Sequence, residues 1–345
     1  MRRIAQFLRS LFTDIFRRFA RLIRGKGTDL DQAGQGRRVF VVNSNDNTVS
    51  VIDIRSQLVI EIIPVGNLPR WIVLTPNGSF ALVTNYESLN ISVIDTSTLS
   101  VVALIPVSYK PYGIAISPDG SKAYVTLPNE DLVAIININN GTNAVVIGFA
   151  NVGSSPHFAA FTPDGKSVYV TNYHSDDLSV IDTSTDKVVN TINLAIGSSL
   201  PMLPLGLAIT PDGAHAYIAC FHKNVLQYDI LNLKLNLFPI GSFNFEQPAI
   251  VAISTRPAGE RTYNVYITDA QLPGYLNVFA DMDFSWVKNI QSGTAGGLAF
   301  TPDSAFAYLA IQDGVWADWV AVIDTTSVEV VNHIKVGKGP MGVAI

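Results

Sequence analysis

Two periodicities divide the chain. From residue 38 onward, short apolar runs rich in β-branched residues alternate with turn residues, as in Ile91-Ser-Val-Ile94, Val101-Val-Ala-Leu-Ile105, Ile114-Ala-Ile-Ser117 and Ala123-Tyr-Val-Thr126. Runs of that length and composition, bounded by Pro, Asn, Asp and Gly, predict β-strands. Residues 1–24 follow another spacing, with apolar side chains at Ile4, Phe7, Leu8, Leu11, Phe12, Ile15, Phe16, Phe19, Leu22 and Ile23. That is the i, i+3, i+4, i+7 pattern of a helix with one apolar stripe. Arg2, Arg3, Arg9, Arg17, Arg18, Arg21 and Arg24 occupy the rest of its surface. Residues 25–37 are Gly-, Asp- and Gln-rich without periodicity and predict a flexible tether.

The strand region repeats. Thr75-Pro-Asn-Gly78, Ser117-Pro-Asp-Gly120, Thr162-Pro-Asp-Gly165, Thr210-Pro-Asp-Gly213 and Thr301-Pro-Asp-Ser304 recur along it, with Arg256-Pro-Ala-Gly259 a degenerate member. In these turns Pro presets φ, Asp bonds its own backbone and Gly takes positive φ. A period of about 43 residues with four short strands per unit indicates a propeller. Asp53, Asp95, Asp182, Asp229 and Asp324, with Asn137 in one unit, precede further turns and are expected to cap them. Seven inner-strand segments are counted, beginning at Trp71, Gly113, Phe158, Gly206, Ile250, Gly297 and Gly342. The region enters on a second strand, Arg38–Asn43, and leaves on an inner one, so the last segment is expected to complete the first blade. The expectation is an all-β fold: a seven-bladed propeller of four-stranded blades over residues 38–345, closed by terminal strands and preceded by an amphipathic helix.

Tyr124-Val-Thr, Tyr169-Val-Thr-Asn172, Asn47-Thr-Val-Ser-Val-Ile-Asp53 and the Ser/Thr-Pro-Asp-Gly turns resemble the YVTN β-propeller repeat. Propeller lactonases and streptogramin lyases are similar in architecture. The resemblance implies the fold, while propellers host binding, lyase and hydrolase roles alike.

Composition narrows the classes. With 48% hydrophobic and 15% charged residues the chain is too apolar for disorder. Cys220 is the only cysteine, which excludes an intrachain disulfide, a CxxC metal site and a CxxCH heme attachment. Residues 1–38 carry ten Lys/Arg against three Asp/Glu, and the remainder thirteen against twenty-five. An acidic body disfavours nucleic acid, so none is expected as a partner, and anionic partners are left to the leader. Asp14 and Arg17-Arg18 interrupt the apolar stretch that an export signal needs. An intracellular, membrane-peripheral protein is therefore expected. The leader suits a membrane interface, the groove of a partner or shell protein, or an organelle address.

Candidate chemistry falls on one face. The A–B and C–D turns are monotonous, whereas the B–C and D–A loops vary in length and composition. The residue after each D–A proline enters the inner strand at the channel mouth. In three consecutive blades that residue is Arg70, Tyr112 and His157, the candidate catalytic set. Lys110, Tyr173, His174, His222, Glu246, Trp316 and Trp319 are candidate ligand-binding residues on the same face. The B–C loops are expected to lie further from the axis than the D–A residues. No cofactor is expected. A weaker alternative is a divalent metal near His157, should His174 and His222 converge on it. His215, His333 and Cys220 are read as structural. Two functions remain open. One is a scaffold binding a small molecule or peptide. The other is a hydrolase-, lyase- or cyclase-type enzyme in which Arg70 binds an anion, His157 transfers a proton and Tyr112 orients the substrate.

Overall fold

Each Ser/Thr-Pro-Asp-Gly quartet closes on itself. The Thr162 hydroxyl donates to Asp164 Oδ1 at 2.6 Å and accepts the Ser167 N–H at 3.1 Å. The same hydroxyl-to-Asx bond recurs at Thr75, Ser117, Thr210 and Thr301. Gly165 has a φ of 70°, in the left-handed region that favours glycine. Third strands end in the same self-contained way. Asp95 Oδ1 accepts from the Ser97 N–H, the Ser97 hydroxyl and the Thr98 N–H at 2.8, 2.6 and 3.0 Å. Asp53, Asp182, Asp229 and Asp324 cap their turns likewise, as expected.

These turns fold each unit into an antiparallel sheet. The computed structural model describes residues 38–139, 141–195, 201–221, 224–239, 248–254, 264–269, 275–280, 286–291, 295–312 and 317–345. The helix expected over 1–24 and the tether over 25–37 lie outside the described residues. Among the described residues stand seven four-stranded sheets. Blade 1 joins Pro340–Ala344 to Arg38–Asn43, Thr48–Asp53 and Leu58–Pro64. Blades 2 to 7 follow in chain order, with inner strands Pro69–Leu74, Ile114–Ile116, Pro156–Phe161, Pro204–Ile209, Pro248–Ser254 and Ala295–Phe300. The expected closure is present: Val343 lies opposite Val41 and Ala344 opposite Phe40, antiparallel. Successive inner strands pack on one another around the whole circle.

The apolar core lies in layers between blades. Leu82 and Val93 of blade 2 pack with Val125 and Ile136 of blade 3, and Tyr308 and Val322 of blade 7 with Val41 and Ile52 of blade 1. Polar clasps reinforce the layers. Between blades 3 and 4, Lys122 Nζ lies 2.8 Å from both Asp186 carboxylate oxygens, and the Tyr124 hydroxyl donates to the same group. Glycine permits the closest approach near the axis, since a Cβ on Gly113 would overlap the carbonyl oxygen of His157 in the next blade. Among the described residues no helix is long and apolar enough to cross a membrane.

Candidate functional site at the channel mouth

Arg70 and His157 owe their placement to a β-bulge. In blade 2, Pro69 pairs with Asn85 but Ile72 with Val83, so Arg70 and Trp71 together oppose Thr84. Blade 4 does the same with His157 and Phe158 opposite Thr171. A bulge bends the strand and re-aims its extra residue, here toward the channel mouth. The opposing threonine then binds two blades. Thr84 Oγ1 accepts the Trp71 N–H at 3.0 Å and donates to the Tyr112 carbonyl of blade 3 at 2.7 Å. Thr126 accepts from Gly113 and donates to the His157 carbonyl, both at 2.8 Å. Thr171 links Phe158 to the Leu205 carbonyl at 3.1 and 2.8 Å. The threonine of each Val-Thr pair thus fixes the backbone of the next blade's mouth residue.

The result is a cavity of about 390 Å³ at the mouth of blades 2–4. Arg70, Tyr112 and His157 are neighbours in it, as the sequence predicts. The Arg70 guanidinium lies 5.9 Å from the Tyr112 ring centroid, and the Tyr112 and His157 rings are 5.0 Å apart. Arg70 Nη1 makes a long contact to Met341 Sδ at 3.4 Å, whereas its Nε is buried without a hydrogen-bond partner. One residue further along the inner strands, Trp71 and Phe158 meet edge to face at 4.7 Å.

The imidazole is oriented. His157 Nδ1 lies 2.9 Å from the Ser155 carbonyl, which also accepts the Tyr173 N–H at 2.9 Å. A carbonyl only accepts, so Nδ1 carries the proton and, in the neutral ring, Nε2 keeps its lone pair. Burial lowers the His157 pKa and His174 adds to the shift, outweighing the Ser155 bond that raises it; the ring is neutral at pH 7. Ser155 has a φ of 58° and is held by its N–H to Asp131 Oδ1 at 2.8 Å. Burial raises the Tyr112 pKa and the Arg70 cation partly offsets this, keeping the phenol protonated.

The other predicted residues divide. Tyr173 and His174 line the cavity, and the Tyr173 ring lies 5.0 Å from that of His157. Lys110 does not line it. Its Nζ pairs with Glu87 at 2.7 Å and sits 4.8 Å from the Tyr86 ring centroid. Trp319 begins the third strand of blade 7 and carries the Lys335 ammonium 5.4 Å from its ring, away from the cavity. His222, Glu246 and Trp316 lie outside the described residues. Among the described residues no group of three or more His, Cys, Asp or Glu side chains converges, and His222, on which a divalent site near His157 would depend, lies outside them. Cys220 is fully buried, and that burial raises its thiol pKa.

Tyr86 and Asn129 also line the cavity, although sequence reasoning placed B–C loops too far out. The Arg70 guanidinium lies 5.3 Å from the Tyr86 ring. The signal was present in the repeat: Asn85-Tyr86 and Asn172-Tyr173 put a tyrosine at the same blade position, directly after a buried asparagine. That asparagine is anchored, with Asn85 Nδ2 on Asn90 Oδ1 and Ser92 Oγ at 2.8 and 2.9 Å.

Known proteins resemble this chain chiefly in fold. Hydrazine synthase of Kuenenia stuttgartiensis is 19% identical, with a TM-score of 0.53 over 92% of this chain and 93% of that one. A candidate 6-phosphogluconolactonase of Bacteroides uniformis is 15% identical, with a TM-score of 0.71 over 90% and 99%. Dihydro-heme d1 dehydrogenase NirN, solved in complex with DHE, is 15% identical, with a TM-score of 0.61 over 90% and 66%. At such identities the likeness shows the propeller alone. No curated protein sequence matches the chain. A family model does match: the Cytochrome D1 heme domain, over residues 29–205. That segment contains every residue lining the cavity. The match overturns the expectation that no cofactor is involved, because the family is defined by a heme group. The absence of a CxxCH motif excludes only one covalent mode of attachment. By this match over more than half its length, the chain belongs to the Cytochrome D1 heme domain family.

Proposed function

We propose that the cavity at the mouth of blades 2–4 binds a heme-type tetrapyrrole non-covalently. The observation that carries this reading is the Arg70 Nε, buried without a partner in a cavity that a neutral imidazole and three tyrosines also line. Buried polar atoms are rarely left unsatisfied, and a guanidinium is matched by a carboxylate. The donor set fits such a group. Arg70 would pair with a peripheral carboxylate, His157 Nε2 would offer a nitrogen ligand, and Tyr86, Tyr112 and Tyr173 would offer ring surface. When bound, a heme-type group supplies a redox-active iron whose properties are tuned by its ligand and the polarity around it. The chain's own contribution is preparatory. Ser155 fixes the imidazole tautomer, burial keeps that ring neutral, and Trp71 and Phe158 fill the space further along the inner strands.

Titration of the purified full chain with ferric protoporphyrin IX, followed by the Soret band, tests the reading. Saturable binding with a shifted Soret maximum is expected. Arg70→Ala should weaken it about tenfold through loss of a charge-assisted pair, and His157→Ala should abolish the shift. A Soret band unchanged by the wild-type chain would remove the proposal.

The catalytic alternative keeps one specific support, the neutral Nε2 beside the Arg70 cation, an arrangement suited to proton abstraction next to an anion. If that alternative holds, Arg70→Ala and His157→Ala lose turnover of a lactone substrate that the wild type hydrolyses without heme.

A further inference from the structure

The outermost strand of each blade is an edge, and soluble proteins usually blunt such edges with charge. Blades 4 and 7 do so. Lys187–Asn193 exposes Lys187, Asn190 and Thr191 around a single apolar Val189, and Glu329–Lys335 exposes Glu329 and Lys335 around a single apolar Val331. Blades 1–3 do not. In Leu58–Pro64, Leu58, Ile60 and Ile62 are 63%, 46% and 55% exposed. In Ser100–Pro106, Val102 and Leu104 stand out at 40% and 58%, and in Val145–Asn151 Val145, Ile147 and Phe149 at 45–49%. Glu61 is the only charged residue in these three strands. The strands neighbour one another, and at one end Tyr109 packs edge-on against Phe149 at 5.9 Å. The belt thus gathers eight exposed apolar side chains on three adjacent strands, whereas exposed apolar residues on a soluble monomer are ordinarily scattered singly.

Geometry selects what covers it. Three consecutive blades of a closed ring form a convex wall. A second copy, equally convex, would touch that wall over about one blade. A lipid interface deforms around a convex apolar surface, and its composition matches: aliphatic side chains in the centre, with Tyr109 and Lys110 at the margin. The chain also enters the ring through blade 1, after a leader whose sequence predicts an interfacial helix over residues 1–24 and a tether over 25–37. We infer that the outer strands of blades 1–3 seat in a membrane interface with the propeller axis parallel to the bilayer. In that orientation the cavity mouth stays in water.

The test is partition of the full chain onto phosphatidylcholine–phosphatidylglycerol vesicles by co-sedimentation. Leu104→Asp and Ile147→Asp should each lower partition by about tenfold, whereas Val189→Asp, at the blade 4 position that matches Ile147, should leave it unchanged. Leu104→Trp should gain fluorescence that is quenched by lipids brominated on the acyl chain, and this readout decides the matter if an aspartate variant fails to fold. No vesicle binding by the wild type, or binding that both aspartate variants retain, would overturn the inference. So would a wild-type dimer in sedimentation velocity that both variants dissociate, since the belt would then cover a second copy.

Discussion

The two faces of the propeller are built from the same repeat and end in opposite states. On the face of the A–B and C–D turns, carboxylates are consumed locally: Ser117 bonds Asp119, Thr162 bonds Asp164 and Ser97 bonds Asp95. Those hydroxyls are the main cause of the lowered pKa of each. On the face of the B–C and D–A loops, valence is left over. Arg70 Nε and Glu130 Oε2 are buried without partners, and the His157 Nε2 lone pair remains after Nδ1 is engaged. A turn whose carboxylate is satisfied locally can repeat around the ring without cost. An unpartnered guanidinium nitrogen in a cavity calls for a partner, and that contrast supports the proposed site on the loop face.

The largest effect should come from closing the gap that lets one blade reach the next. Gly113→Ala places a methyl against the His157 carbonyl oxygen, a backbone atom held by Thr126 that cannot swing aside. Overpacking of this kind destabilises by roughly 1–3 kcal/mol or more, which thermal unfolding should register as a drop of several degrees. Gly120→Ala on the opposite face meets only Pro76 and strains a positive φ of 74°, so its loss should be smaller and should spare tetrapyrrole binding. Equal losses of binding in both variants would dissolve the distinction between the faces.

Thr126→Val is the next step down. It keeps the shape but removes the hydroxyl that accepts from Gly113 and donates to His157, leaving two backbone groups short of a partner. Stability should fall by about 1–3 kcal/mol. Protoporphyrin binding should weaken as well, and Thr126→Ser should restore both. Blade 1 carries Val42 where blades 2–4 carry this threonine, so Val42→Ala should leave binding untouched.

The fold was legible because it is written many times. Blade number, strand order and terminal closure follow from recurrent Pro-Asp-Gly turns and alternating apolar runs, each a local cause of a local structure. Arg70, Tyr112 and His157 were legible as neighbours because one register position recurs at the mouth. Tyr86 and Asn129 were missed because the inward reach of a B–C loop depends on packing, which no single repeat reveals. The threonine bridge was missed for a related reason: its acceptor lies 28 to 34 residues away, in the next blade. The outward apolar belt escaped notice because an exposed and a buried valine read alike in a strand pattern. Only the position of a strand within its blade tells them apart.

The smallest effect is electrostatic, and it separates the faces by pH. Asp95, Asp119 and Asp164 have folded pKa values below the unfolded value of about 3.9. The unfolded chain therefore binds more protons in that window, so their stabilisation is complete above it and lost as pH falls through the folded values. His157 also has a lowered folded pKa, through burial, so its loss begins at about pH 6.5 and runs toward its folded value. His333, lowered by burial in blade 7, shares that upper window. A melting-temperature profile should thus decline in two segments. His157→Phe should flatten part of the upper segment and leave the lower one intact. Replacing Asp95, Asp119 and Asp164 by Asn should flatten the lower segment by only about 1 °C per residue, because these carboxylates are solvent-screened. If the aspartate variants change the upper segment instead, charge on the turn face is coupled to the mouth through the blades, and the independence of the two faces fails.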